Sequence, residues 1–179
     1  MKSILLTSFF FLLLQNAFGQ TEKNSDSKFR YRNSAELELG GHGLFYSFNY
    51  ERVLVNHNKL KTTLQAGLAY YPHSTNVNTV WIPVSINELI SFGKHHIELG
   101  VGVVDLKDDG YYIGYSFGEF VRDNELAQGL RLGYRYQKPQ CKFLFKATFT
   151  PLFFYSYYNK RIISSEWYPL GGITFGYNF

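Results

Sequence analysis

The chain is predicted to be all-β: an eight-stranded antiparallel up-and-down transmembrane β-barrel. Two observations carry this. Large apolar residues recur at every second position in eight separate segments, the signature of strands with one apolar face. The connections between these segments are tight turns and longer pieces in alternation. A third observation narrows the class: aromatic residues make up 19% of the 179 residues, with 17 Phe and 15 Tyr, although mean hydropathy is only −0.19.

The first element is not part of the barrel. Lys2 follows Met1, Ile4 to Leu14 is an apolar run, and Ala17 and Gly19 are the small residues expected before a cut ahead of Gln20. These are the three regions of a secretory signal peptide. The run is too short to cross a bilayer, which takes ~20 apolar residues. The domain reading is therefore a signal peptide at 1–19, a polar leader at 20–34 and a barrel at 35–179. No Cys follows the cut, and Cys141 is the single cysteine of the chain, so no internal disulfide is possible. The net charge of +4 is small and scattered, unlike the concentrated basic face of a nucleic-acid binder.

The strands follow in order. The first, about Ala35 to Gly41, sets Leu37 and Leu39 against Glu36 and Glu38. The second, about Leu44 to Leu54, sets Leu44, Tyr46, Phe48 and Tyr50 against Ser47, Asn49 and Glu51. The third, about Leu60 to Tyr71, sets Leu64, Ala66, Leu68 and Tyr70 against Thr63, Gln65 and Gly67. The fourth, about Val80 to Ile90, sets Val80, Ile82, Val84 and Ile86 against Pro83, Ser85 and Asn87. The fifth, about His95 to Val104, sets Ile97, Leu99, Val101 and Val103 against His96, Glu98, Gly100 and Gly102. The sixth, about Leu130 to Tyr136, sets Leu130, Leu132, Tyr134 and Tyr136 against Arg131, Gly133 and Arg135. The seventh, about Cys141 to Leu152, sets Phe143, Phe145, Ala147 and Phe149 against Lys142, Lys146, Thr148 and Thr150. The eighth ends the chain as GGITFGYNF, with Ile173, Phe175, Tyr177 and Phe179 on one parity.

Tight turns fall at Asn56–Lys59, Phe92–Lys94 and Gln137–Gln140, all at one end, called here the turn end; Pro72–Thr79, Asp105–Gly129 and Phe153–Pro169 read as longer loops at the opposite, loop end. The connection at Gly41–Gly43 is short, although it belongs to the loop end. Outer-membrane barrels have short periplasmic turns, longer outer loops and an even strand count. The apolar face is too rich in rings to fit inside eight strands, whose interior is only wide enough to be filled. The opposite face, of glycines, small hydroxyls and a few long charged groups, suits a narrow packed interior. Tyr70 and Tyr71 at one border and Tyr134, Tyr136 and Phe179 at the other read as aromatic girdles. A soluble lipocalin-like barrel, with the apolar face inward, is the competing arrangement.

With these features the chain resembles the small eight-stranded outer-membrane barrels of Gram-negative bacteria, the OmpA/OmpX-like superfamily. The resemblance covers nearly all of the mature chain and is one of architecture. Its most specific piece is the last strand, where Ile173, Phe175, Tyr177 and Phe179 look like the signal read by the barrel-assembly machinery. It implies a monomeric protein of the cell outer membrane, in contact with outer-membrane lipid, without cofactor, and not an enzyme.

The inward face predicts a network of charges. Glu36, Glu38, Glu51 and Glu98 stand opposite Arg131, Arg135, Lys142 and Lys146, and an unpaired buried charge costs several kcal/mol, so ion pairs should plug the lumen. A gated ion path is the functional alternative, since charges at membrane depth default to that hypothesis. Some barrels of this size are lipid A-modifying enzymes, which need a nucleophile beside a base. His42, His73 and Ser74 supply the residue types near the loop end, without a recognisable motif. Asp105–Gly110 resembles a calcium loop only loosely, with Lys107 at a ligand position and Ser116 where the bidentate Glu belongs. His95 and His96, adjacent on a strand, point to opposite faces. The loops hold rings suited to binding, namely Tyr111, Tyr112, Tyr115, Phe117 and Phe120, then Phe154, Tyr155, Tyr157, Tyr158, Trp167 and Tyr168. Their alternation favours strands that simply continue above the membrane.

Overall fold

The computed structural model describes residues 28–74, 77–108, 125–158 and 161–179. The signal peptide, most of the leader and the rings from Tyr111 to Phe120 lie outside the described residues. The strands are β1 (Asn33–Gly40), β2 (Tyr46–Asn56), β3 (Leu60–Ser74), β4 (Val77–Phe92), β5 (His95–Asp108), β6 (Glu125–Gln137), β7 (Phe143–Phe149), β8 (Leu152–Tyr158), β9 (Arg161–Tyr168) and β10 (Gly171–Asn178), with a 3₁₀ turn at Gly41–Gly43. Pro151 and Pro169 lack the N–H that a ladder needs. They fall in the breaks between β7 and β8 and between β9 and β10, so these four segments form two interrupted staves. A bond from Thr150 N–H to Leu170 O (2.7 Å) joins the two breaks.

Counted as staves, the strands make a closed eight-stranded antiparallel barrel. β1 pairs with β2 on one side and with β10 on the other, from Ser34↔Asn178 to Gly40↔Gly172. β10–β7, β7–β6 and β6–β5 continue one way and β2–β3, β3–β4 and β4–β5 the other, which completes the ring. Within the closed part every strand has a neighbour on both sides, so no edge is left there to recruit another chain; the β8–β9 hairpin runs beyond it, with β9 paired only to β8 among the described residues.

The strands run further toward the loop end than periodicity suggested. Pro72–Thr79, expected as a loop, is mostly ladder: β3 and β4 pair up to Ser74↔Val77, with a register shift after Pro72. Asp105–Asp108 is also strand, paired with Thr79–Ile82, which removes the first half of the calcium-like loop. Phe153–Pro169, expected as a loop, is largely β8 paired with β9, from Leu152↔Tyr168 to Tyr158↔Arg161. The rings there sit on continuing strands, as their alternation indicated.

Alternation sorts the side chains. Leu37, Phe48, Leu68, Ile86, Val101, Leu132, Phe149 and Phe175 are exposed on the outside, Phe48 at 64%. Glu38, Glu51, Asn87, Glu98, Arg135, Lys146 and Thr174 are buried inside. This is the inverse of a soluble barrel, so the lipocalin-like arrangement is not the one adopted. The interior is layered. Phe29, Val53 and Leu89 cluster near the turn end, while Ala69, Tyr71, Trp81, Val104, Ala127 and Leu152 cluster toward the loop end. The charged groups lie between.

Candidate functional site: the charged lumen and its two seals

β1 and β2 bring the acids of the belt, β6 and β7 bring the bases, and β5 adds Glu98. Arg131 pairs with Glu38, donates to Gln65 Oε1 at 2.6 Å, and holds its Nε 3.5 Å from Glu98 Oε1. Arg135 Nη1 meets Glu51 Oε1 at 2.6 Å, and its Nε donates to Gln137 Oε1 at 2.7 Å. Lys146 Nζ bridges Glu36 Oε2 (2.9 Å) and Glu51 Oε2 (2.8 Å). Small hydroxyls fill remaining acceptor positions: Ser34 Oγ donates to Glu36 at 2.8 Å and Thr63 Oγ1 to Glu51 at 3.1 Å. Glu98 sits in the middle. Arg135 Nη1 and Lys146 Nζ approach its Oε2 at 4.0 and 3.9 Å.

All of these groups are 4% exposed or less. In so low a dielectric each ion attracts its neighbours strongly, and each would be costly if left alone.

Lys142 is a correction. It does not join the belt: β7 begins only at Phe143, so Lys142 belongs to the preceding turn and lies exposed, its Nζ 5.6 Å over the Tyr177 ring. The Tyr177 hydroxyl beside it holds its pKa above the ordinary lysine value. A buried lysine that the charge reading passed over, Lys61, sits toward the turn end and donates to Ser91 Oγ (2.7 Å) and Asn58 O (3.0 Å). Its parity, shared with Thr63 and Gln65, was the available signal.

The seal at the loop end is the connection Gly41–Gly43 folded inward. Gly40 and Gly41 have φ of 77° and 66°, the left-handed region that glycine tolerates. The turn buries His42, whose Nε2 lies 3.2 Å from Leu130 O. A Cβ on Gly129 would stand 2.6 Å from that nitrogen, so a larger residue on the opposite wall would push the imidazole aside. Tyr71, expected in an outer girdle, points inward instead. Its hydroxyl reaches Gly43 O, lies 2.9 Å from Tyr46 O and accepts the N–H of Phe45 (3.2 Å) and Tyr46 (3.3 Å). Phe45, Tyr46 and Trp81 pack edge-on around its ring. Leu44, expected on the outer face, is half-buried against this cluster.

The seal at the turn end comes from the leader. Phe29 is 3% exposed. Its ring stands edge-on to His96 at 5.1 Å, beneath Lys61 Nζ at 4.8 Å and near Arg135 Cζ at 5.5 Å. Asn56 clasps its backbone through Phe29 N–H (3.1 Å) and Phe29 O (2.9 Å), and Arg30 N–H bonds Pro139 O (2.8 Å). Nothing in the alternation pattern marked Phe29.

Of the residues named for a catalytic alternative, only His42 has a described side chain. His42 faces a carbonyl, and His73 and Ser74 end β3 with side chains outside the described set. His96 Nδ1 lies 2.8 Å from Ser91 Oγ; both are buried, His96 with its ring against Phe29. Among the described residues no cluster of His, Cys, Asp or Glu suits a metal ion. His95 and His96 take opposite faces as expected, His95 outward beside Tyr134 and Tyr136.

No known family model matches the chain, and no curated protein matches it. Among solved structures, the chain is similar to Ail, the attachment invasion locus protein of Yersinia pestis, crystallised with the heparin analogue sucrose octasulfate. The likeness has 13% identity, covers 83% of this chain and 99% of that one, and has a TM-score of 0.41.

Proposed function

We propose that this protein is a monomeric integral outer-membrane barrel with a structural or surface-interaction role, whose charge-filled lumen is closed to solutes. The observation that carries the reading is the inverted amphipathicity. Exposed apolar side chains occur on staves all round the barrel, from Leu37 and Phe48 through Val101 and Leu132 to Phe175, while the acids and bases are buried in pairs. In water that arrangement would expose a continuous apolar belt; in a bilayer every outward group meets hydrocarbon and every backbone polar group is satisfied by closure. The seals argue against conduction, because a path would have to cross both apolar clusters. The outward row Ile173, Phe175, Tyr177 and Phe179 on β10 is the segment this reading assigns to recognition by the assembly machinery.

Cell fractionation tests it, with electrophoresis of the unheated and boiled membrane fraction. The expected result is outer-membrane recovery, a heat-dependent mobility shift and no steady conductance in planar bilayers. Recovery in the soluble fraction would overturn the membrane assignment, and steady conductance would overturn the closed lumen.

A further inference from the structure

Outside the lumen, cations collect at the turn end. At the turn end, Lys28 and Arg30 of the leader and Lys59, Lys94, Lys138 and Lys142 of the three turns are all exposed, and residues 28–32, 57–59, 93–94 and 138–142 contain no Asp or Glu. Glu88 stands back along β4, bonded to Thr62 Oγ1 at 2.8 Å.

Three of the six cations at the turn end are also seated on rings. Lys94 Nζ stands 5.9 Å over Tyr136, Lys142 Nζ 5.6 Å over Tyr177, and Arg30 Cζ 5.6 Å over Tyr31. Phe92, Phe143 and Phe179 lie exposed at the same border. An aromatic row with ammonium groups just beyond it fits the level where hydrocarbon gives way to headgroups. Because the cations come from the leader and from each successive turn, they run round the whole mouth.

We propose that this rim is a phosphate-binding collar that selects anionic phospholipid headgroups in the leaflet surrounding it. The proposal rests on the membrane reading above. A lipid leaflet matches the collar in two respects: it presents negative charge on all sides at one height, and it places hydrocarbon directly against the rings above. A rod-like acidic polymer would meet only one side of the mouth. Each cation near an anionic surface contributes about fivefold in association, and salt screens the effect.

The test uses the full mature chain, refolded in detergent and offered equal phosphatidylglycerol and phosphatidylcholine, with bound lipid counted by native mass spectrometry. A variant carrying K59Q, K94Q, K138Q and K142Q is compared with one carrying arginine at those four positions. Unheated electrophoresis confirms that each is folded. The expected result is at least about fivefold retention of phosphatidylglycerol, kept by the arginine variant and lost in the glutamine variant and at high salt. Equal retention of the two lipids by a folded barrel overturns the collar alone, as does selectivity that survives in the glutamine variant. Lysine-dependent sedimentation with peptidoglycan sacculi, without lipid selectivity, assigns the rim to an acidic polymer and overturns the lipid assignment. A chain that stays soluble without detergent overturns both readings.

Discussion

At the loop end the segment folded into the lumen is part of the wall's own chain. Gly41–Gly43 is spliced between β1 and β2, and the Tyr71 hydroxyl ties it to backbone on both sides. At the turn end the seal is a single ring, Phe29, on residues that precede the first strand and are held by Asn56 and Pro139. One seal is polar in its fastening and continuous with the wall; the other is an apolar wedge on a leader that could undock without breaking a strand pair. The belt between them depends on both, since its ion pairs are strong only while water is kept out.

The largest expected effect tests that dependence directly. Lys146→Ala leaves Glu36 and Glu51 without their shared partner and should cost about 3–5 kcal/mol in urea unfolding. A cost below about 1 kcal/mol, the range of solvated pairs, would mean that water reaches the belt and at least one seal leaks. Next comes Phe29→Ala, expected to cost about 1.5–3 kcal/mol for the lost burial of the ring. Amide exchange should then quicken at Arg30 and stay unchanged at Tyr46; quickening at both would show that the two seals are coupled. The smallest effect is expected from Tyr71→Phe, which keeps the ring and loses the hydroxyl's bonds, at about 1–2 kcal/mol. If it exceeds Phe29→Ala, the fastened seal is the more important of the two and the comparison is reversed.

Much of this was legible from parity alone. Glu36, Glu38, Glu51, Glu98, Arg131, Arg135 and Lys146 face inward because strand geometry alternates, whatever the residue type. One departure arose where residue type was followed instead of parity: Tyr71 lies on the inward parity of β3, as Trp81 and Leu89 do on β4, but was read as a girdle ring. Lys142 was assigned by extending the alternation past the strand's true start at Phe143. Phe29 was illegible for a different reason, since a ring on an irregular segment carries no periodic signal and its place is decided by the cavity that closure creates. The proline breaks at Pro151 and Pro169 could be foreseen as lost donors, but not that the ladder would bridge them.

The pairs that fill the barrel also join distant parts of the chain. Glu36 and Lys146 are 110 residues apart, Glu51 and Lys146 95, Glu38 and Arg131 93, and Glu51 and Arg135 84. The seam that brings them together is β1 against β10, the first strand against the last. During assembly, then, only Glu98 can meet its bases early, on the neighbouring β6; Glu36, Glu38 and Glu51 stay without theirs until loop closure is completed. Folding should be slow and all-or-none, with partly zipped sheets penalised by acids and bases that have not yet met. The belt thus acts as a latch that engages only when the cylinder is whole.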